Sequence, residues 1–170
     1  TRGVPTLLAT ITHSIVRWLL HAHLRLSYSS ELGAMLAYRA HARIVRSPSH
    51  RKAIKKIELD ELLHREALLS ILSDRRVYPW FFLEWLFWGI GRTVGFGCSV
   101  WGEWVSAFGA SIFEVNGIAE YTRLAALARR VNDEQLALHM EELADHEREH
   151  QEYFSTLAQS IWRGQSSSPE

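Results

Sequence analysis

This 170-residue chain has few cysteines and prolines and no formal net charge, and each of these features limits the classes of protein that it can belong to. A single cysteine, Cys98, excludes an internal disulfide framework and is compatible with a reducing compartment. The 19 basic and 19 acidic residues balance, which argues against a nucleic-acid binder that works by bulk attraction to phosphate. Only four prolines are present, and the text between them is free to form long helices.

Helical periodicity runs through almost the whole chain. Apolar residues recur every three or four positions, and no convincing alternation typical of a strand appears. The sequence therefore predicts an all-α protein whose amphipathic helices cover 6–26, 30–46, 50–73, 103–129 and 133–163. We expect the last residues, 164–170, to form a disordered tail.

Residues with short polar side chains mark the expected helix starts, because such side chains can accept hydrogen bonds from the free amides of a first turn. Ser29 or Ser30 is predicted to cap the second helix, and Ser49 the third. Asn132 or Asp133 is predicted to cap the last helix.

An aromatic segment, 77–104, stands between the third predicted helix and the fourth. It contains five of the seven tryptophans and is interrupted by glycines at 89, 91, 95 and 97. The interruptions make it a poor transmembrane span. Because tryptophan and tyrosine favour the boundary between lipid and water, the segment predicts contact with a membrane surface. The alternative is a long crossover helix that packs across the bundle.

A pattern of glutamate and tyrosine occurs twice in the chain. Glu31 precedes Tyr38 by seven positions in ELGAMLAY, and Glu114 precedes Tyr121 by seven positions in EVNGIAEY. Seven residues are close to two helical turns, so each glutamate shares a helix face with its tyrosine.

A Glu-x-x-His motif follows each of these units at a similar distance. DELLH contains Glu61 and His64, and HEREH contains Glu147 and His150. Residues three apart lie on one helix face, so four helices can direct four carboxylates and two imidazoles to one place in the core. Such a set holds two metal ions about 3.5–4 Å apart. The predicted ligands are Glu31, Glu61, His64, Glu114, Glu147 and His150.

The stretch HEREH also matches the zinc-protease motif H-E-x-x-H. That alternative needs a third ligand after His150 and leaves the second Glu-x-x-His motif, in DELLH, unexplained. We therefore expect His146 to lie near the metal ligands or at the surface rather than to bind zinc. Asp60 is expected to hydrogen-bond a ligating histidine, with His150 as the predicted partner.

Three stretches of the chain resemble the demethoxyubiquinone hydroxylase family of ferritin-like di-iron proteins. They are ELGAMLAYRAH, the aromatic PWFFLEWLFWGIGRTVGFG, and FEVNGIAEYTRLA together with DHEREHQEYF. The likeness covers about 25–155. It implies a ferritin-like four-helix bundle over 27–163, with 77–104 as a glycine-broken crossover. The N-terminal amphipathic helix predicted within 1–26 is an addition to the family pattern.

The resemblance also implies an activity, that of an oxygen-dependent di-iron monooxygenase that hydroxylates a quinone-like or other lipophilic substrate. Its cofactors would be two iron ions, with manganese as the alternative, and an external electron donor such as NADH. Its partners would be dioxygen, the lipophilic substrate and a membrane surface reached through 77–104. A homo-oligomer is compatible with it, and nucleic acid is not expected. The expected location is the cytoplasmic inner face of a membrane, or the matrix side in a mitochondrion.

The same resemblance places Tyr121 beside the metal site, and either Tyr121 or Tyr38 could donate a proton or an electron there. The alternative for both is a purely structural hydrogen bond.

Glu58 and Glu120 lie close enough to Glu61 and Glu114 to compete with them as ligands. Two departures from the family are evident. Glu120 stands where the family has histidine, and SYSS replaces its Asp-His-Ala-Gly run. The rival functions are ferritin-like iron binding and oxidation without an organic substrate, and a bundle that has lost its metal.

Overall fold

The structure, a computed structural model, describes residues 7–164, and over that range it contains helices and no strand. The helices are α1, Leu7–Ile44; α2, Pro48–Asp74; α3, Phe81–Arg130; and α4, Glu134–Trp162. The all-α prediction is confirmed, and the arrangement is consistent with a four-helix bundle. The predicted disordered tail lies outside the described residues except for its first, Gly164.

The predicted extra helix within 1–26 is not a separate element, because α1 continues without a break from Leu7 to Ile44. The two serines expected to cap a new helix are used differently. Ser29 donates a hydrogen bond to Glu84 at 2.6 Å, and Ser30 donates one to the carbonyl of Ser27 at 2.9 Å. A serine that bonds back to the preceding turn can remain inside a helix, so these residues do not end it.

The caps of the other helices agree with the sequence in one case and differ in another. Asp133 caps α4 by accepting from the amide of Leu136 at 3.1 Å, as predicted. The predicted cap Ser49 is wrong, because α2 begins at Pro48 and its cap is Ser47. Proline suits the first helical position, since its fixed φ matches the helix and its missing N–H is not needed there.

The aromatic segment is mostly helical and forms the first part of α3. Residues 77–80 precede the helix, and within α3 the residue with non-helical angles is Gly102, with φ 84° and ψ 179°, a conformation essentially restricted to glycine. The predicted helix start at 103 coincides with this kink. None of the helices over 7–164 combines the length and apolar character that a membrane span requires.

The two parts of α3 run in opposite directions along α1. Before the kink, Gly91 packs on Gly33 and Gly95 packs on Ala40, so this part of α3 runs parallel to α1. After the kink, Glu114 contacts Tyr38, but Tyr121, further along, contacts Glu31. The chain therefore follows α1 in parallel, turns at Gly102 and returns antiparallel to it.

Apolar residues form two core clusters, one towards each end of the bundle. The first joins the early part of α1 with the ends of α2 and α3 and the start of α4, through residues such as Leu24, Leu68, Leu124 and Met140. The second joins the late part of α1 with the start of α2 and the end of α4, through Ile54 and Phe154 among others. Along every helix, the predicted ligands fall between these clusters, so they form a polar layer midway along the core.

Gly91 allows the early part of α3 to approach α1 closely. A Cβ at this position would lie 2.6 Å from the carbonyl oxygen of Gly33 and 2.9 Å from the Cβ of Leu36. Backbone cannot move aside as a flexible side chain can. The glycine thus serves close packing within a helix rather than the interruption that the sequence suggested.

We expect Gly91→Ala to lower the free energy of unfolding by about 1–3 kcal/mol, because the added methyl overpacks the contact with α1. Gly89→Ala is the matched control, since a Cβ there meets nothing within 4 Å. It should be neutral or slightly stabilising through helix propensity. Urea unfolding followed by circular dichroism measures both, and equal effects of the two substitutions would contradict the proposed packing role.

Candidate metal centre

Six buried side chains from all four helices meet in the polar layer. Each is between 1 and 6 % exposed, although every one of them is ionisable. Groups of this kind are almost never buried without partners or a bound ion. All six predicted ligands are brought together here: Glu31 from α1, Glu61 and His64 from α2, Glu114 from α3, and Glu147 and His150 from α4.

The six residues divide into two overlapping groups, each able to hold one metal ion. Glu31 and His64 belong to the first group, and Glu114 and His150 to the second. Glu61 and Glu147 belong to both. Within each group, one potential ligand atom per residue lies within 4.8 Å of all the others. This is the arrangement that two adjacent ions need, with two shared carboxylates between them and one carboxylate and one imidazole at either end.

Several ligand atoms face one another without forming aligned hydrogen bonds. Nδ1 of His64 lies 3.1 Å from Oε1 of Glu147, and Nδ1 of His150 lies 3.2 Å from Oε1 of Glu61. All four of these buried atoms lack a hydrogen-bond partner among residues 7–164. An unpartnered buried polar atom is costly. Four of them directed at one small region fit metal ligation, so the residues present suit a pair of cations.

Each outer carboxylate accepts a hydrogen bond from a tyrosine. Tyr38 donates to Glu114, and Tyr121 donates to Glu31, so the repeat in the sequence corresponds to a crossed pairing between α1 and α3. Burial first, and then the neighbouring carboxylates, raise the pKa of both phenols well above the usual value. Both tyrosines are therefore neutral donors that fix the orientation of a carboxylate.

Each histidine of the two groups also has a partner on its outer nitrogen. Nε2 of His150 lies 3.3 Å from Asp60, which agrees with the predicted pairing. Nε2 of His64 lies 3.2 Å from Nδ1 of His146. Such partners fix the tautomer and ring orientation of a metal-bound histidine. The two partners occupy equivalent places, since each directly precedes the glutamate of the facing Glu-x-x-His motif. One is a carboxylate and the other an imidazole.

Protons accumulate on the cluster when no cation balances its charge. Burial, followed by the adjacent Glu61 carboxylate, raises the pKa of Glu31 well above its usual value. Burial also raises the pKa of Glu114 and of Glu147. Burial alone would lower the pKa of His64, but the Glu147 and Glu61 carboxylates outweigh it and raise that pKa to about 11. A metal ion that binds here must therefore displace protons, and its affinity must fall as the pH is lowered.

The competing ligand candidates are engaged elsewhere. Glu58 pairs with Arg39 at 2.6 Å, and Glu120 pairs with His23 at 2.6 Å. The zinc-protease alternative also loses support, because exposed His146 belongs to neither group of potential ligands and instead contacts the outer nitrogen of His64.

An apolar cavity of about 250 Å³ lies beside the centre, between α1 and the two parts of α3. Tyr38 forms part of its wall, so one phenol connects the cavity with Glu114. The sequence analysis missed this cavity and also missed His41, which lines it. The only signal was the position of His41 three residues after Tyr38, which places both on one face of α1.

No protein-family model matches this chain, and no curated protein matches it in sequence. Carboxylate and imidazole ligands suit iron, manganese and zinc. Four carboxylates would offset the charge of two divalent ions bound here.

Asp60→Asn should weaken binding of the metal ion on the His150 side by about 10- to 100-fold, because the neutral amide is a poorer acceptor for the ligand imidazole. Asp145→Asn is the control, since exposed Asp145 pairs with Arg148 on the same helix. Anaerobic Fe(II) or Mn(II) titration measures both variants. Unchanged affinity for both ions in Asp60→Asn would show that this pair has no role in ligation.

Proposed function

We propose that this chain is an oxygen-dependent di-iron monooxygenase that hydroxylates a quinone-like or other lipophilic substrate. In this proposal it is a ferritin-like four-helix bundle with residues 77–104 as the crossover, and it is related to the demethoxyubiquinone hydroxylases. The observation that carries the proposal is the juxtaposition of a two-cation ligand set with an apolar cavity, joined by Tyr38.

The metal ligands would divide as the geometry suggests. Glu61 and Glu147 would be shared by both ions, and the remaining four residues would bind one ion each. Two iron ions bound in this way supply the one-electron chemistry and oxygen activation that amino-acid side chains lack. Manganese would fit the same ligands. Electrons would come from an external donor, for which NADH is the candidate.

The protein itself would orient the metal ligands, exclude water from the centre and supply a proton donor. The ligands lie between two apolar core clusters, which exclude water from the centre. Tyr38 is the better candidate for moving a proton, because its ring lines the cavity while its hydroxyl contacts Glu114. Tyr121 is not among the residues that line this cavity, which favours a structural role in orienting Glu31.

Iron binding and oxidation without an organic substrate is the rival function. The same ligand set supports it, but the cavity and the exposed aromatic side chains near it have no role in it. An oxygen electrode separates the two functions. The hydroxylase should consume oxygen only when reductant and an alkylated quinone or phenol are both present, with a hydroxylated product. An iron oxidase should instead consume oxygen with Fe(II) alone and accumulate a mineral core, and that result would refute the hydroxylase.

Glu147→Ala should remove both iron ions and the oxygen uptake, because this carboxylate belongs to both metal groups. Glu149→Ala is the control, since that residue lies on the same helix and is exposed. Iron analysis of protein purified without chelators gives the metal content of both, and circular dichroism verifies that each is folded. Two irons per chain in Glu147→Ala would contradict the ligand assignment.

A membrane surface is the proposed partner, and peripheral attachment to the inner face of a membrane, or to the matrix side of a mitochondrial one, is the proposed location. The early part of α3 leaves large apolar side chains exposed, including Phe81, Trp85, Trp88 and Phe96. Contiguous exposed apolar surface favours protein or membrane contact. Tryptophans on this surface suit the interface, and a substrate with an apolar tail could then enter the cavity without crossing water.

The double substitution of Trp85 and Trp88 by Ser should weaken flotation with phosphatidylcholine and phosphatidylglycerol vesicles several-fold, because each tryptophan loses apolar area at the interface. The matched control replaces Trp18 and Trp162, two exposed tryptophans outside the aromatic segment, by Ser. Equal flotation of both double variants and of the unaltered chain would remove the membrane from the proposal.

A further inference from the structure

The cavity beside the metal centre is apolar over almost all of its surface. Ile90, Val94 and Phe113 are among its lining residues, and the close packing of Gly33 with Gly91 closes one side. At about 250 Å³ it is smaller than a pocket for a drug-sized molecule. It has room for one substituted ring.

Few polar groups reach this cavity, and most of them are already bonded. The Tyr38 hydroxyl donates to Glu114, and the Ser106 hydroxyl donates to the carbonyl of Gly102 at 2.8 Å. Cys98 is a thiol whose pKa is raised by burial, which makes it a weak hydrogen-bonding group. His41 differs from these residues.

His41 is buried, oriented and unpartnered. Its side chain is 1 % exposed, and its ring stacks on Phe154 with centroids 5.7 Å apart and an interplanar angle of 19°. Its buried Nε2 has no hydrogen-bond partner within residues 7–164. Burial lowers the pKa of His41 to about 4, so the ring is neutral at physiological pH. A neutral, rigidly held imidazole with a free nitrogen in an apolar wall is a specific hydrogen-bonding position for a ligand.

We infer that the cavity binds a ring compound with an apolar substituent and one ring hydroxyl, and that Nε2 of His41 hydrogen-bonds this hydroxyl. A hydroxyl can donate or accept, so it satisfies the nitrogen in either neutral tautomer. This inference rests on the proposed function, since it names the substrate class of the same site as phenolic. His41 is then a positioning residue.

The position of His41 along α1 determines how such a ring would lie. His41 and Tyr38 are one turn apart on the same face, and both stack on Phe154. Tyr38 lies on the side of the metal ligands, because its hydroxyl contacts Glu114. A ring anchored by its hydroxyl at His41 would share the cavity wall with Tyr38, whose hydroxyl contacts Glu114 of the metal centre.

The test compares two probes of nearly equal shape, 4-pentylphenol and pentylbenzene, by calorimetric titration of the full metal-loaded chain. The unaltered protein should bind the phenol about tenfold more tightly, the contribution of one buried hydrogen bond. His41→Phe should reduce that ratio to about one while it retains pentylbenzene binding and two metal ions. His41→Gln should keep part of the preference, because an amide can also donate and accept.

Two results would overturn the inference: equal affinities of the unaltered protein for the probes, or a phenol preference that persists in His41→Phe. Failure of both probes to bind the unaltered protein would overturn it as well. Oxygen uptake takes no part in these titrations. If the phenol preference is found and hydroxylation is not, the binding site stands and the proposed reaction fails. If hydroxylation occurs without the preference, only the role of His41 is lost.

Discussion

Burial of four carboxylates in one layer of the core is the constraint on which the rest of the structure depends. A buried carboxylate costs several kcal/mol unless something compensates it, and four together also repel one another. The two histidines and two tyrosines of the layer reduce this cost only in part, since Glu31, Glu114 and Glu147 keep raised pKa values. Two divalent cations would remove most of the remaining cost. The buried carboxylates at the centre of the fold therefore favour the binding of positive charge.

The apolar clusters above and below the layer make this demand possible. They stabilise the bundle through ordinary burial, so the layer itself need not contribute stability. They also keep water away from the ligands, which strengthens every electrostatic interaction within the layer. Long helices suit this division of tasks, because one helix can contribute to both clusters and supply ligands between them. α1 does so, because Leu24 lies in the first cluster, Glu31 in the polar layer and Ala42 in the second cluster.

The two halves of the centre are related by the sequence repeat but have different surroundings. Tyr121 and Glu31 lie beside the first apolar cluster, and Tyr38 and Glu114 lie beside the cavity. Their histidines differ too, because Asp60 supports His150 whereas His146 supports His64. The cavity therefore lies on the His150 side of the centre. The early part of α3 creates this difference, since it covers α1 there and leaves a gap beside Tyr38.

The sequence by itself determined the helical class and the six residues that meet in the buried Glu/His cluster. Glu-x-x-His spacing and the Glu-to-Tyr interval are local, and an α-helix converts such intervals directly into a shared face. Asp133 as a cap follows from similarly local chemistry. The tertiary structure decided what depends on neighbours distant in the chain. Ser29 remained inside α1 because Glu84 binds its hydroxyl, and Gly91 proved to be a packing contact because Gly33 lies against it. His41 could be singled out only from the tertiary structure. Distant segments form the cavity that it lines, and they leave its Nε2 without a hydrogen-bond partner among the described residues.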